Sequence, residues 1–289
     1  MRNGLFDRRT NAFVQSRPTE GDRLPRFSIN TSLLYAEVPF LERFERSARA
    51  GFDTVEFWWP AADVLASVEE AVDDAGVGVA LINFDAGDMA SGDRGLLSDP
   101  ARVDAFRANV PVALALAESL GCRMLNALVG LELPGFAREE QLALARENVA
   151  WAADEAISIG ASVLIEAVNT IENGPYLIST TAEALEFVHS VGRPNVALQY
   201  DAYHMQRMEG NLTATLRAHI GDIAHIQIAD SPGRGEPGTG EINFDFLLRA
   251  IDELGYEGLV GLEYRPSEGS TDDSLAWLPR EARAAGATR

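Results

Sequence analysis

The sequence predicts an α/β chain folded as one (β/α)8 barrel, a TIM barrel, in a single domain. Three observations lead there. At seven places an amphipathic stretch ends in a glycine, and a short apolar run begins within a few residues. An eighth run, Phe27 to Asn30, precedes the first helix, so eight strand–helix units occupy roughly 260 residues, close to the usual size of this barrel. The runs are near-continuously apolar instead of alternating, which is the pattern of parallel strands buried on both faces.

The units follow in order. Phe27 to Asn30 leads into a helix read as Glu37 to Ala50, closed by Gly51 before Thr54-Val55-Glu56-Phe57. Ala75-Gly76 stands before Val77 to Ile82, and a helix read as Asp99 to Leu120 ends at Gly121 before Met124 to Val129. A helix read as Arg138 to Ile159 ends at Gly160 before Ser162 to Glu166, and Val191-Gly192 precedes Val196 to Tyr200. Ile220-Gly221 precedes Ile223 to Ile228, and a helix over Asn243 to Leu254 ends at Gly255 before Leu259 to Glu263. Glycine suits these positions because it enters the left-handed region that ends a helix without a Cβ clash. A doubly wound open sheet is the main rival. It usually carries a glycine-rich phosphate turn after its first strand, whereas here Asn30-Thr31-Ser32-Leu33 follows, with no GxGxxG and no P-loop.

The barrel is expected over residues 26–285, behind a poorly ordered leader at 1–25 that has arginines but no apolar stretch of signal-peptide length. No apolar run reaches the roughly 20 residues that span a bilayer. The net charge of −20 repels a phosphate backbone, so nucleic acid and membrane are poor partners, and a small-molecule substrate is expected. The single cysteine, Cys122, cannot form an intrachain disulfide and suits a reducing cytoplasm. A homo-oligomer stays open.

In such a barrel the chemistry sits at the C-terminal strand ends. The third run closes at Asn83, while the fifth to eighth close on Glu166, Asp201, Gln227 and Glu263, spaced by 35, 26 and 36 residues. Any one of them alone reads as an ordinary polar strand end. Four oxygen donors at four consecutive strand ends read as a site. Three carboxylates aimed at one small volume would repel and protonate unless a cation lay between them. Oxygen donors favour Mg²⁺ or Mn²⁺, and zinc stays open through nearby histidines. Asn169, Glu172, Tyr203, His204 and Gln206 follow closely, and His225 shares a strand face with Gln227. The glycine-rich loop Asp230 to Gly240 carries Arg234, whose guanidinium suits a substrate carboxylate. Trp58 and Trp59 read equally well as pocket wall or core. His189 and His219 read as helix-end residues, and Cys122 as a small hydrophobe.

Two long motifs, Gln199 to Gly210 and His225 to Asp230 with Arg234 to Asn243, resemble the hydroxypyruvate isomerase family of the xylose isomerase-like barrels. Ala86-Gly87-Asp88, Gly92-Asp93-Arg94-Gly95 and Leu164 to Asn169 match as well, and the resemblance covers about Arg26 to Trp277. It implies that Glu166 and Glu263 are the catalytic pair and that Asp201 and Gln227 complete a metal site. It also implies that His204, Arg234, Glu172 and Asn83 serve the substrate. The expected reaction is aldose–ketose isomerisation of a small hydroxy-carbonyl acid through an enediolate, with no organic cofactor. A ketose 3-epimerase is the alternative, and a metal-dependent DNA-repair endonuclease a remote one. The chain departs from that family at Ile82 and Leu131, where the resemblance implies a histidine and a lysine. The departures widen the acceptable substrate and place more of the carboxylate recognition on Arg234.

Overall fold

A computed structural model describes residues 24–284. Most of the expected leader, and position 285, lie outside the described residues. Eight parallel strands close in chain order into one barrel: β1 (Arg26–Asn30), β2 (Thr54–Phe57), β3 (Gly78–Asn83), β4 (Met124–Asn126), β5 (Ser162–Glu166), β6 (Val196–Asp201), β7 (Ile223–Ile228) and β8 (Leu259–Leu262). β8 pairs back onto β1, with Phe27 opposite Val260.

β2, β5 and β7 have the bounds read from the sequence. β4 is shorter than its apolar run, Met124 to Val129, because the chain turns off after Asn126 and Val129 bridges to Gly95. The first long helix also starts later, at Glu42 instead of Glu37, after Pro39. Six of the seven junction glycines adopt positive φ. Gly221 does not, because it lies inside a 3-10 turn, Ile220–Asp222, which leads directly into β7.

Side-chain alternation sets what each strand offers. Ile29, Val55, Phe57, Ile82, Val163, Ile165, Leu198, Ile226 and Val260 join the apolar layer between strands and helices. The intervening positions, Ser28, Asn30, Glu56, Asn126, Gln199, His225 and Gln227, are buried and polar. Barrel interiors are usually filled by branched apolar side chains. Here hydrogen bonds hold together much of the interior below the mouth. Cys122 is fully buried, and burial pushes its thiol up to about 11, as expected of a packing residue.

Candidate active site

The interior network begins at Glu56, which is completely buried. Its carboxylate faces His225 Nε2 at 2.8 Å and accepts from Ser28 Oγ at 2.8 Å, Gln227 Nε2 at 2.6 Å and Asn30 Nδ2 at 3.3 Å. Burial alone would push the Glu56 carboxyl up. The opposing charge of His225, with the hydrogen bonds from His225, Gln227 and Ser28, holds it below the usual range. Glu56 therefore determines which way the Gln227 amide faces: its nitrogen points to Glu56, and its oxygen accepts from Gln199 Nε2 at 2.7 Å. The same Gln199 nitrogen donates to Glu166 Oε2 at 3.2 Å, which places the Gln227 oxygen beside Glu166.

Above this layer the strand-end carboxylates meet. Glu166 Oε2 accepts from Asn126 Nδ2 at 2.8 Å, and ligand atoms of Glu166, Asp201 and His204 all lie within 4.8 Å of one another. Glu263 Oε1 accepts from Trp58 Nε1 at 2.8 Å and Asn30 Nδ2 at 3.1 Å, and its Oε2 lies 2.5 Å from Arg234 Nη2. That same arginine nitrogen is 3.5 Å from Asp201 Oδ2. Burial first, then the charges of Glu263 and Asp201, raises the Glu166 carboxyl well above the ordinary range. Burial also pushes Glu263 up to about 7 against the pull of Arg234, with Asp201 and Glu56 adding repulsion. Asp201 is raised by burial as well.

Over this floor opens a cavity of about 300 Å³. Its wall includes Glu166, Glu263, His204, Arg234, Asn83 and Trp58. Asp201 and Gln227 lie just beneath, each 1% exposed. Glu172 is not part of the wall; its carboxylate accepts from Tyr203 Oη at 2.6 Å and Asn169 Nδ2 at 3.4 Å, so it supports the segment beside the cavity. Ile82 packs in the apolar layer outside the barrel, and Leu131 bridges to Tyr176, so neither residue departs from the family within the cavity wall itself. Trp58, which the sequence left undecided, belongs to the wall. Two cations there, Arg94 and Arg265, escaped the sequence reading because neither ends a strand. The only signal for Arg94 was its place in the Gly92-Asp93-Arg94-Gly95 motif.

The protonation state of His204 follows from its neighbours. Asn169 Oδ1 accepts from the Glu172 backbone N–H at 3.0 Å, so the Asn169 amide nitrogen must face His204 Nδ1, at 2.7 Å. Nδ1 is therefore an acceptor, and Nε2 carries the proton. Burial, then Arg234, pushes the imidazolium far below its usual range, which keeps the ring neutral. In that tautomer Nε2–H points towards Asp201 Oδ2, 3.4 Å away, and Glu166 Oε1, 3.7 Å away, is available to a bound oxygen, and does not ligate a metal.

The donor set fits a hard divalent cation. Asp201 Oδ2 is buried and accepts no hydrogen bond, an Asp201 oxygen lies within 4.8 Å of a Glu166 oxygen, Arg234 Nη2 joins Asp201 to Glu263, and the Gln227 oxygen retains a lone pair. A carboxyl whose folded pKa lies above its unfolded value favours folding while protonated, and that contribution is lost as the pH rises through the folded value. The metal-free protein should therefore melt at a lower temperature as the pH rises from about 4.5 through about 7. Mg²⁺ or Mn²⁺ should restore more at pH 8 than at pH 5.5, because the cation competes with protons. Scanning calorimetry reads both. A metal-induced shift that does not change with pH would exclude these carboxylates as the ligands.

The sequence matches the xylose isomerase-like TIM barrel family over residues 44–281. It is 41% identical to the hydroxypyruvate isomerase of Escherichia coli strain K12, over 88% of this chain and 98% of that protein. It is 38% identical to a 2-oxo-tetronate isomerase of Cupriavidus necator, over 88% and 98%. Among solved structures, one described as an AP endonuclease, family 2, from Brucella melitensis superposes with a TM-score of 0.83 at 40% identity, over 88% of this chain and 98% of that one. A D-psicose 3-epimerase from Clostridium cellulolyticum H10 shares the fold, with a TM-score of 0.69 at 21% identity, over 88% and 90%.

Proposed function

The chain belongs to the xylose isomerase-like TIM barrel family and is an isomerase, and from that premise we propose that it interconverts a small 2-keto acid and its aldehyde isomer, hydroxypyruvate and tartronate semialdehyde being the simplest pair. One observation carries the reading. Glu166 and Glu263, both buried and both with raised proton affinity, border the same cavity.

Isomerisation moves a carbon-bound proton from the hydroxyl-bearing carbon to the neighbouring carbonyl carbon by way of an enediolate, while the hydroxyl proton passes to the former carbonyl oxygen. It needs one carboxylate to accept a proton and one carboxyl to return it. Glu263, whose affinity lies near neutrality, is the acceptor on C3 of hydroxypyruvate. Glu166, whose carboxyl is raised by burial and by the charges of Glu263 and Asp201, is the donor to C2; the roles exchange in the reverse direction. Trp58 and Asn30 fix Glu263 through Oε1, and Asn126 and Gln199 fix Glu166 through Oε2. Each carboxyl therefore keeps a defined orientation while its charge changes. His204 Nε2–H donates to a substrate oxygen, and Arg234 offsets the carboxylate charge as the proton moves.

Glu166, Asp201, Gln227 and Glu263 are the residues that would hold a divalent cation, which when bound polarises the carbonyl and offsets charge on the enediolate. We also place the protein in the cytoplasm. Among the described residues, no helix is long and apolar enough to cross a membrane. A nuclease reading has less support: His189 and His219 pair with Asp222 at the surface, leaving His204 and His225 as the histidines near the site, and the net charge is −20.

Product analysis tests the proposal. In ²H₂O an isomerase should give tartronate semialdehyde deuterated at C2, whereas a 3-epimerase would leave a ketose as a ketone with C3 inverted. Inversion without aldehyde formation would reject the isomerase reading in favour of the epimerase.

A further inference from the structure

The cavity takes an anion only if some positive charge on its wall is left unneutralised by the protein. Three arginines line it, and they differ in that respect. Arg234 is buried and committed to Glu263 at 2.5 Å and Asp201 at 3.5 Å. Arg265 is exposed, and its backbone N–H donates to the Arg234 carbonyl at 2.8 Å. A charge in that solvent-exposed setting is screened and contributes little.

Arg94 is half-buried and forms no ion pair among the described residues. Its Nε donates to Asn173 Oδ1 at 2.7 Å, and its Nη1 to the carbonyls of Met89 at 3.0 Å and Asp93 at 2.6 Å. All three acceptors are neutral. The nearest carboxylate in sequence, Asp93, is engaged elsewhere: it accepts from Arg102 Nη1 at 2.8 Å and the Asp88 N–H at 2.7 Å. The two Nη2 hydrogens of Arg94 have no partner among the described residues.

We propose that Arg94 anchors the substrate carboxylate, so that the site selects small 2-keto acids over neutral ketoses of the same size. The inference rests on the isomerase reading above. The guanidinium is prepared for the task, because three bonds fix its plane before a ligand arrives and little side-chain freedom remains to be lost on binding. Its backbone is fixed as well. Gly95, at φ 118°, bridges to Val129, and a Cβ there would lie 2.0 Å from the Leu128 carbonyl oxygen, so the loop abuts the end of β4. A short chain of bonds also links Arg94 to the proton-transfer groups. Asn173 Nδ2 donates to the Asn169 carbonyl at 3.1 Å, and the Asn169 amide meets His204 at 2.7 Å. The anchor and the His204 donor are thus held by one segment, residues 169–173, which keeps the carboxylate end and the carbonyl end of a small acid at a set separation.

The test compares hydroxypyruvate with dihydroxyacetone, in which the carboxylate is replaced by a hydroxymethyl group, in wild-type, Arg94→Met, Arg94→Lys and Arg265→Ala proteins. With charge-assisted bonds at stake, Arg94→Met should raise KM for hydroxypyruvate about 10- to 100-fold with a smaller change in kcat. Arg94→Lys should recover part of the loss, and turnover of dihydroxyacetone should change less than about threefold. Equal losses on both compounds, no loss in Arg94→Met, or the main loss in Arg265→Ala would each overturn the proposal. Calorimetric titration with glycerate, which has the carboxylate but no carbonyl to enolise, separates the two readings. If glycerate binding falls 10- to 100-fold in Arg94→Met while the wild type isomerises neither compound, the anchor stands and the isomerase reading fails. Unchanged glycerate binding overturns the anchor whatever the enzyme turns over.

Discussion

Glu263→Gln is expected to lower kcat about 10²- to 10⁴-fold, the usual contribution of a positioned acid–base group, while the barrel stays folded. The amide keeps the size of the side chain and one oxygen, and Trp58 and Asn30 can still donate to that oxygen. It cannot take a proton at neutral pH. The fold should tolerate the change, because burial already pushes the carboxyl up to about 7, so the native site accommodates a largely uncharged group under mildly acidic conditions. The assay belongs at saturating Mg²⁺ or Mn²⁺, so that weakened metal binding does not pass for lost proton transfer. The wild-type rate should also fall with falling pH as Glu263 becomes protonated and can no longer accept, at a pH below the metal-free value of about 7 because the cation competes with the proton. A Glu263→Gln protein with near-normal turnover would remove Glu263 from the mechanism.

The largest stability effect should come from the layer below. His225→Ala is expected to cost about 3–5 kcal/mol, because it leaves the fully buried Glu56 charge without its partner. In a domain of this size each kcal/mol moves the melting temperature by roughly 2–4 °C, so a fall on the order of 6–20 °C should appear in calorimetry. The barrel leaves Glu56 little room to reposition. Gly261 faces it across the interior, and a Cβ there would come within 2.4 Å of Glu56 Oε2. The double variant Glu56→Gln with His225→Leu should lose less than the two single losses combined, since the uncompensated charge is gone. Additive losses would mean that His225 contributes packing alone. The sign with pH is opposite to that of the mouth carboxylates. Glu56 is held low, so its contribution is present above about pH 4.5 and is lost as the pH falls through its folded value.

The barrel was legible because its signals are local. A glycine after an amphipathic stretch and a short apolar run are each read within about ten residues, and eight repeats leave few alternatives. Gly221 and the shortened β4 show the limit of that reading. At Gly221 a 3-10 turn ends the helix without a left-handed residue, and at Val129 an apolar residue pairs with a loop instead of a neighbouring strand. The strand-end rule likewise points to Glu166, Asp201, Gln227 and Glu263 from sequence, because a TIM barrel directs every strand end to one mouth.

By itself, then, the sequence determined the architecture, the acidic mouth and the residues that form it, since these depend on periodicity and on where polar residues interrupt it. Tertiary structure alone decided how charge is distributed among them. It paired Arg234 with Glu263 and Asp201, placed Glu56 against His225, and turned the His204 ring so that Nε2 keeps its proton. It also brought Arg94 to the cavity wall without a carboxylate partner. The physical reason is that proton affinity and free charge depend on burial and on distances of a few ångströms between residues up to 233 positions apart, as Asn30 and Glu263 are. No pattern along the chain encodes such distances; they arise when the barrel closes.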